Sequence, residues 1–403
     1  MAAGSLFASS VAGRSAVLSW RGRDFGPLMP RMRASAGGSW SCEQRAWWLL
    51  WAACPGLGWD LLSRIERELG GLAPAWCAPL ERLATVKGIG SGLCRRIEAH
   101  RRQWGVDPLA TWMASSDWPR RVLLPGDPAM PPAVGRLARP PLGLYWQGRG
   151  ALWSLLRRRQ AVAVVGTRRA SAHGLAMAEA IGAALAEAGW PVVSGLAEGI
   201  DGAAHQGCLS RQGCPVAVLG TPLERVYPRH HHALQSEVAA SGLLISEHPA
   251  GTSVRAGHFA ARNRLQVALA SALVVVECPD RSGALHSVQL AWEQQLPIWA
   301  VPADTTRVSA AGSNRLLAQG ATALLEPQHL IRQLGSGPLV RQEPEQKPPD
   351  ADPQLLVAVG RGATLDQLCA ALRQPAAAVA ERLLALELAG LVRAEPGLSW
   401  RAT

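Results

Sequence analysis

The sequence predicts an α/β chain built on a doubly wound parallel sheet, with an all-helical segment before it and a winged-helix module after it. Three observations carry this. Fully apolar runs recur at 161–165, 191–193, 215–219, 242–245, 272–276 and 297–301. Runs this uniformly apolar are strands buried on both faces. Helical patterns separate most of them, which is how parallel strands are joined. Most of the runs end in a polar, Gly-marked turn, and in such sheets ligands bind at the carboxyl ends of the strands. The turns Gly166-Thr167-Arg168-Arg169, Ser194-Gly195 and Ser282-Gly283 therefore read together as one site.

The flanking parts follow in order along the 403 residues. Residues 1–40 are Arg-, Ser- and Ala-rich, a transit-peptide-like composition; they read as a disordered leader or a mis-assigned start, with Met29 or Met32 as the true beginning. Residues 43–110 read as all helix, with Pro55-Gly56-Leu57-Gly58 and Lys87-Gly88-Ile89-Gly90 between apolar stretches. Gly-x-Gly hairpins between short helices can aim backbone N–H groups at phosphate, so Lys87, Gly88 and Gly90 are secondary nucleic-acid candidates; a tight turn without a ligand is the competing reading. Trp at helical spacing beside Leu is read as core. Residues 111–150 carry seven prolines and read as an extended connecting segment without ladder pairing. Residues 151–333 form the sheet domain, and 334–353 a Pro-, Gln- and Glu-rich linker. Residues 354–403 read as three helices, the second capped by Thr364, and a two-stranded wing turning at Pro396-Gly397. The third of these helices carries Arg382 as its one base, few for reading DNA, so protein contact or a structural role is favoured there.

Net charge is +11, and Lys occurs only at 87 and 347, so the excess is arginine. A polyanionic partner fits this balance, as does an Arg-rich proteome. The eight cysteines include no CxxC pair, which suggests reduced thiols and a cytoplasmic setting. His230-His231-His232 reads as loop rather than as a metal site, and neither metal nor cofactor is expected. No apolar run approaches the ~18 residues of a membrane span.

Within the site, a strand end, N–H groups and a helix start make the Gly166 turn suited to an anion, with Arg168 or Arg169 adding a guanidinium. The turn lacks both the GxGxxG and Walker A patterns, which argues against nicotinamide dinucleotides and ATP bound in their usual ways. Asp201 reads as a cap and His205 points back to the same turn; no nucleophile elbow accompanies them. Phe259 with Arg262-Asn263-Arg264 places an aromatic ring and two guanidiniums on one helix, equipment for an unstacked base and its phosphate. Salt bridging of those arginines to Glu247 or Glu277 is the competing reading.

Taken in order, Val165–Ser171, Ser194–His205, Ala217–Gly220, Tyr227-Pro228, Leu244–Glu247, Phe259 with Arg262–Arg264, Val275–Glu277, Ser282-Gly283 and Gly312–Asn314 with Gly320-Ala321 resemble the DNA-processing protein A (DprA/Smf) family of bacterial natural transformation. The resemblance implies an extended Rossmann-like domain that binds single-stranded DNA without sequence preference, dimerises and loads the RecA recombinase onto incoming strands. It implies DNA contact at Arg168, Ser194, Gly195, Phe259, Arg262, Asn263 and Arg264; the reading of the strand-end turns adds Gly166 and Arg169 as contacts and Asp201, His205, Glu277, Ser282 and Gly283 as support. The helical front part (similar to SAM or helix-hairpin-helix domains) and the winged helix also occur in that family. The chain departs from the family pattern at Glu198, where a basic residue is usual; this implies weaker binding or a shifted strand path. The alternative is a Rossmann-type nucleotide-binding or nucleoside-monophosphate-cleaving enzyme, but Pro279–Ala284 lacks the tandem glycines and Thr-x-x-Glu of that turn. No catalytic residue is therefore assigned. A transcription regulator built on the last module is disfavoured by its poorly basic third helix.

Overall fold

The computed structural model describes residues 40–114, 121–340, 352–360, 362–397 and 399–403. The expected leader (bar Trp40) and residues 341–351 of the expected linker lie outside the described residues.

Among the described residues, seven parallel strands form the body of one sheet: β3 (Val162–Val165), β4 (Val192–Ser194), β5 (Pro215–Leu219), β6 (Leu243–Ser246), β7 (Ala272–Val275), β8 (Ile298–Ala300) and β9 (Thr322–Ala323). Two antiparallel strands, β1 (Val122–Leu123) and β2 (Leu144–Gly148), extend it along β6. The spatial order is β1-β2-β6-β5-β4-β3-β7-β8-β9. The chain thus runs outward from β3 to β6, then crosses back to β7 on the other side of β3. The crevice between β3 and β7 is the topological switch point, where open α/β sheets take their ligands.

The apolar runs are strands because helices cover both faces: the side chains of β7 and residues 161–164 are fully buried. Each such Val or Leu stabilises the fold by roughly 1.5–3 kcal/mol relative to exposure. Helices Ala172–Glu187 and Ile200–Ser210 approach so closely that a Cβ on Gly182 would lie 2.1 Å from the Ala204 carbonyl oxygen. Any side chain there would separate them.

The Pro-rich segment before the sheet is more than a connector. It contributes β1 and β2, because its prolines at 125, 128, 131, 132, 140 and 141 fall between the two strands and leave Leu144–Gly148 free to pair. Six short helices precede it between Cys42 and Ala114. Ser41 and Gln44 form a reciprocal capping box at the first. Their core is tryptophan: Trp48, Trp51, Trp76, Trp104 and Trp112 are buried, and Trp51 meets Trp76 edge-on at 5.2 Å. The last module packs Pro353–Val359, Leu365–Leu372 and Ala376–Leu388 under a wing of Val392–Glu395 and Ser399–Ala402. Thr364 caps the second helix in a capping box with Gln367. Arg382 is ion-paired with Asp352, so the base of the third helix is already engaged. Among the described residues, no helix is long and apolar enough to cross a membrane.

Candidate nucleic-acid interface

A cleft of about 430 Å³ opens at the switch point. The loop after β3 supplies Gly166, Thr167, Arg168 and Arg169, the loop after β4 supplies Ala197, and the first turn of the helix Ile200–Ser210 supplies Asp201. The helices Ala256–Ala261 and Asn263–Leu269 bring Phe259, Arg262, Asn263 and Gln266, and the loop after β7 brings Arg281, Ser282 and Gly283.

Arg168 and Arg169 are exposed. The Arg168 guanidinium carbon lies 5.1 Å from the centroid of the Phe259 ring, over its face. Phe259 also packs against Tyr227, with ring centroids 4.8 Å apart, and against the bare backbone of Gly220. A cation over an aromatic face, both half open to solvent, can hold a phosphate and a base together. Gly166 is required by its neighbours, since a Cβ there would meet Ile200 at 2.5 Å. The Thr167 N–H donates to the Glu277 carbonyl at 2.7 Å, so that turn hydrogen is spent inside the protein.

Arg262 lines the cleft but is committed to partners inside the protein. Its side chain is 5% exposed. Nη1 donates to the carbonyls of Gly195 (2.6 Å) and Val218, Nη2 to Asp201 Oδ2 (3.2 Å), and Nε to Asn263 Oδ1 (3.1 Å). A guanidinium so committed ties the helix to β4 and β5 and has little left for phosphate. Burial pushes the Asp201 carboxyl up and the Arg262 guanidinium down, and the opposite charge of each partner resists both shifts. Arg264 follows the competing reading: it makes a two-pronged pair with Glu247, at 2.6 and 3.2 Å, and is not among the residues lining the cleft. Asn263 bridges, accepting from Arg262 and donating from Nδ2 to the Gly283 carbonyl at 3.2 Å. Ser194 and Gly195 are buried behind the cleft; the Ser194 hydroxyl donates to the Val164 carbonyl at 2.7 Å. They shape the site without lining it.

The supporting residues are all placed. Glu277 accepts from the Ser171 N–H and hydroxyl, at 3.0 and 2.7 Å, and so fixes the helix that follows the Gly166 turn. Burial alone would raise its pKa, but hydrogen bonds from Ser309 and Ser171 and the charge of Arg307 outweigh this and hold it below the usual range. Ser282 caps the helix Gly283–Glu293, its hydroxyl accepting from the Ala284 N–H. His205 is fully buried; burial first, then the charges of Arg262 and His231, push it down to about 3. Neither of its ring nitrogens has a hydrogen-bond partner among the described residues, so Asp201 and His205 do not form an acid–base pair. Lys87, Gly88 and Gly90 stand apart on the helical hairpin, where Arg64 donates to the Lys87 carbonyl at 2.8 Å.

Residues 121–335 match the DNA recombination-mediator protein A family, which is more than half of the chain. The chain belongs to that family. Residues 341–397 match the DprA winged helix domain. Protein Smf of Synechocystis is 32% identical over 395 residues, covering 89% of this chain and 99% of the relative. The putative DNA processing protein DprA of Mycobacterium tuberculosis is 37% identical over 371 residues, covering 85% and 93%. The X-ray structure of DprA from Streptococcus pneumoniae superposes with a TM-score of 0.60 at 26% identity, covering 72% of this chain and 97% of that one.

Two features of this DprA-family cleft escaped sequence reasoning. Arg281 adds an exposed cation to its rim, and Tyr227 packs against the Phe259 ring. Arg281 lies in the loop after the fifth apolar run, a strand end like the others, and that position was its available signal. Tyr227 stands among the residues that carry the resemblance, but nothing local pairs it with Phe259; only the fold brings the two rings together.

Proposed function

We propose that this chain binds single-stranded DNA without sequence preference across the switch-point cleft, and acts by binding rather than by turnover. The observation that carries the reading is the exposed Arg168 over the partly exposed ring of Phe259, flanked by Arg169 and Arg281 at the strand ends. Guanidiniums neutralise phosphates whatever the sequence, while an aromatic face accepts a base only when it is unstacked. The cleft therefore favours single strands over duplex. Gly166 and Asn263 line the same path, and Arg262 positions it from beneath. Membership in a family described as recombination mediators supports the wider reading: a cytoplasmic homodimer that delivers the strand to the RecA recombinase during DNA uptake.

The binding reading is favoured over a nucleotide-cleaving enzyme because the titratable groups beside the cleft are otherwise engaged: Asp201 is paired with Arg262, and His205 is neutral and buried. Fluorescence anisotropy with labelled oligo-dT and a matching duplex, across a salt series, tests it. The expected result is tight binding to the single strand that weakens as salt rises, and much weaker binding to duplex. Equal affinity for both, or none for either, overturns it.

A further inference from the structure

The turn before β4's helix carries a second cluster, outside the proposed strand path. Glu198 immediately precedes Gly199 and Ile200, and the short 3₁₀ turn Arg229–His231 folds over it. The ligand atoms of Glu198, His230 and His231 all lie within 4.8 Å of one another. His230 Nε2 is 2.7 Å from Glu198 Oε2. The rings of His230 and His231 stand edge-to-face with centroids 4.7 Å apart. Nδ1 of His231 lies 3.1 Å from the Leu196 carbonyl oxygen, so it is the nitrogen placed to carry the proton. Sequence alone predicts a loop for these histidines; the fold sets two of them against a carboxylate.

We propose that Glu198, His230 and His231 bind a divalent transition-metal ion, zinc by preference. Two imidazoles and one carboxylate are a zinc donor set that leaves a coordination position for water or a ligand, whereas calcium and magnesium take mostly oxygen. Metal–ligand bonds of about 2.0–2.2 Å put ligand atoms roughly 3.3 Å apart, a spacing these side chains reach by small rotations. Those rotations are open to them, since the side chains of His230 and Glu198 are 64% and 50% exposed. A ligating histidine typically donates its other N–H to a backbone carbonyl, which fixes ring and tautomer; Leu196 offers that contact to His231.

The site adjoins the cleft. A Cβ on Gly199 would lie 2.4 Å from the Thr167 carbonyl oxygen, so Glu198 sits one residue from the Arg168 turn. A bound dication there replaces a carboxylate's negative charge with net positive charge. The metal proposal does not rest on the DNA reading, because its test contains no DNA.

The test titrates the metal-stripped full chain with Zn²⁺ against a chromophoric chelator, beside E198Q, H230A, H231A and H232A. His232 begins the next helix and is outside the cluster, so H232A controls for binding by the histidine tract itself. One Zn²⁺ per chain is expected, weakened roughly tenfold or more by E198Q and by H230A and unchanged by H232A. E198Q and H230A alter exposed side chains, so the result does not depend on a variant that fails to fold. No stoichiometric binding, no effect of E198Q, or a loss in H232A equal to that in H230A overturns the proposal.

Discussion

The guanidinium of Arg262 occupies the space a side chain on Gly195 would need: a Cβ there would lie 1.8 Å from Nη1, the nitrogen that donates to Gly195's own carbonyl. The glycine after β4 is thus a socket for an arginine from a helix 67 residues further along the chain. Through it, the helix carrying Phe259 is registered against β4, β5 and Asp201.

Gly195→Ala is expected to evict that guanidinium and leave Asp201 buried without its partner. Loss of a buried, hydrogen-bonded ion pair costs on the order of 3–5 kcal/mol. Urea unfolding should show a drop of about this size in the full chain. A variant with wild-type stability would mean that the socket does not bind the arginine.

Arg168 and Arg169 should separate from Arg262 in what their removal does. Arg168→Ala with Arg169→Ala is expected to leave the melting temperature unchanged and to weaken oligo-dT binding. The slope of log K against log salt should shrink by about 0.7 for each phosphate that is no longer neutralised. Arg262→Ala should instead lower the melting temperature first. A reduced salt slope in a well-folded Arg262→Ala protein would return that residue to the phosphate path.

Phe259→Leu keeps apolar volume against Tyr227 and Gly220 while removing the π face under Arg168. Affinity for oligo-dT should fall by about 1 kcal/mol or more, roughly fivefold, with the salt slope unaltered, because stacking releases no counterions. Equal affinity at every salt concentration would place the bases elsewhere.

His205 makes stability depend on pH. Folded, it titrates at about 3, against an ordinary value of 6.5. The unfolded chain therefore binds a proton between those values that the folded chain does not. This contribution is complete above pH 6.5 and is lost as pH falls toward 3, at about 1.4 kcal/mol per pH unit. His205→Gln is expected to lose less stability than the wild type between pH 7.5 and 5, as read by urea midpoints at each pH. Parallel losses would mean that the histidine is hydrated in the fold.

Much of the architecture was legible in the chain itself. Six apolar runs without polar interruption dictate buried parallel strands, and Thr364 marks a helix start before any packing is known. These signals are local, because an element's period and its caps are properties of neighbouring residues. β1 and β2 were hidden by the prolines around them: two- and five-residue strands become strands only when β6 is there to pair with.

The division of labour among the arginines was not legible. Residue type and spacing make Arg168, Arg262 and Arg264 equally good phosphate ligands. What separates them is burial and partnership with Asp201 and Glu247, acidic residues 61 and 17 positions away in sequence. The same holds for Glu198 and His230, brought together from the ends of different strands. Local pattern along the chain was enough to specify the sheet, the capped helices and the chemistry available at the strand ends. Which charges face solvent and which are consumed within emerged on folding, because desolvation and pairing are properties of the folded surroundings rather than of any residue alone.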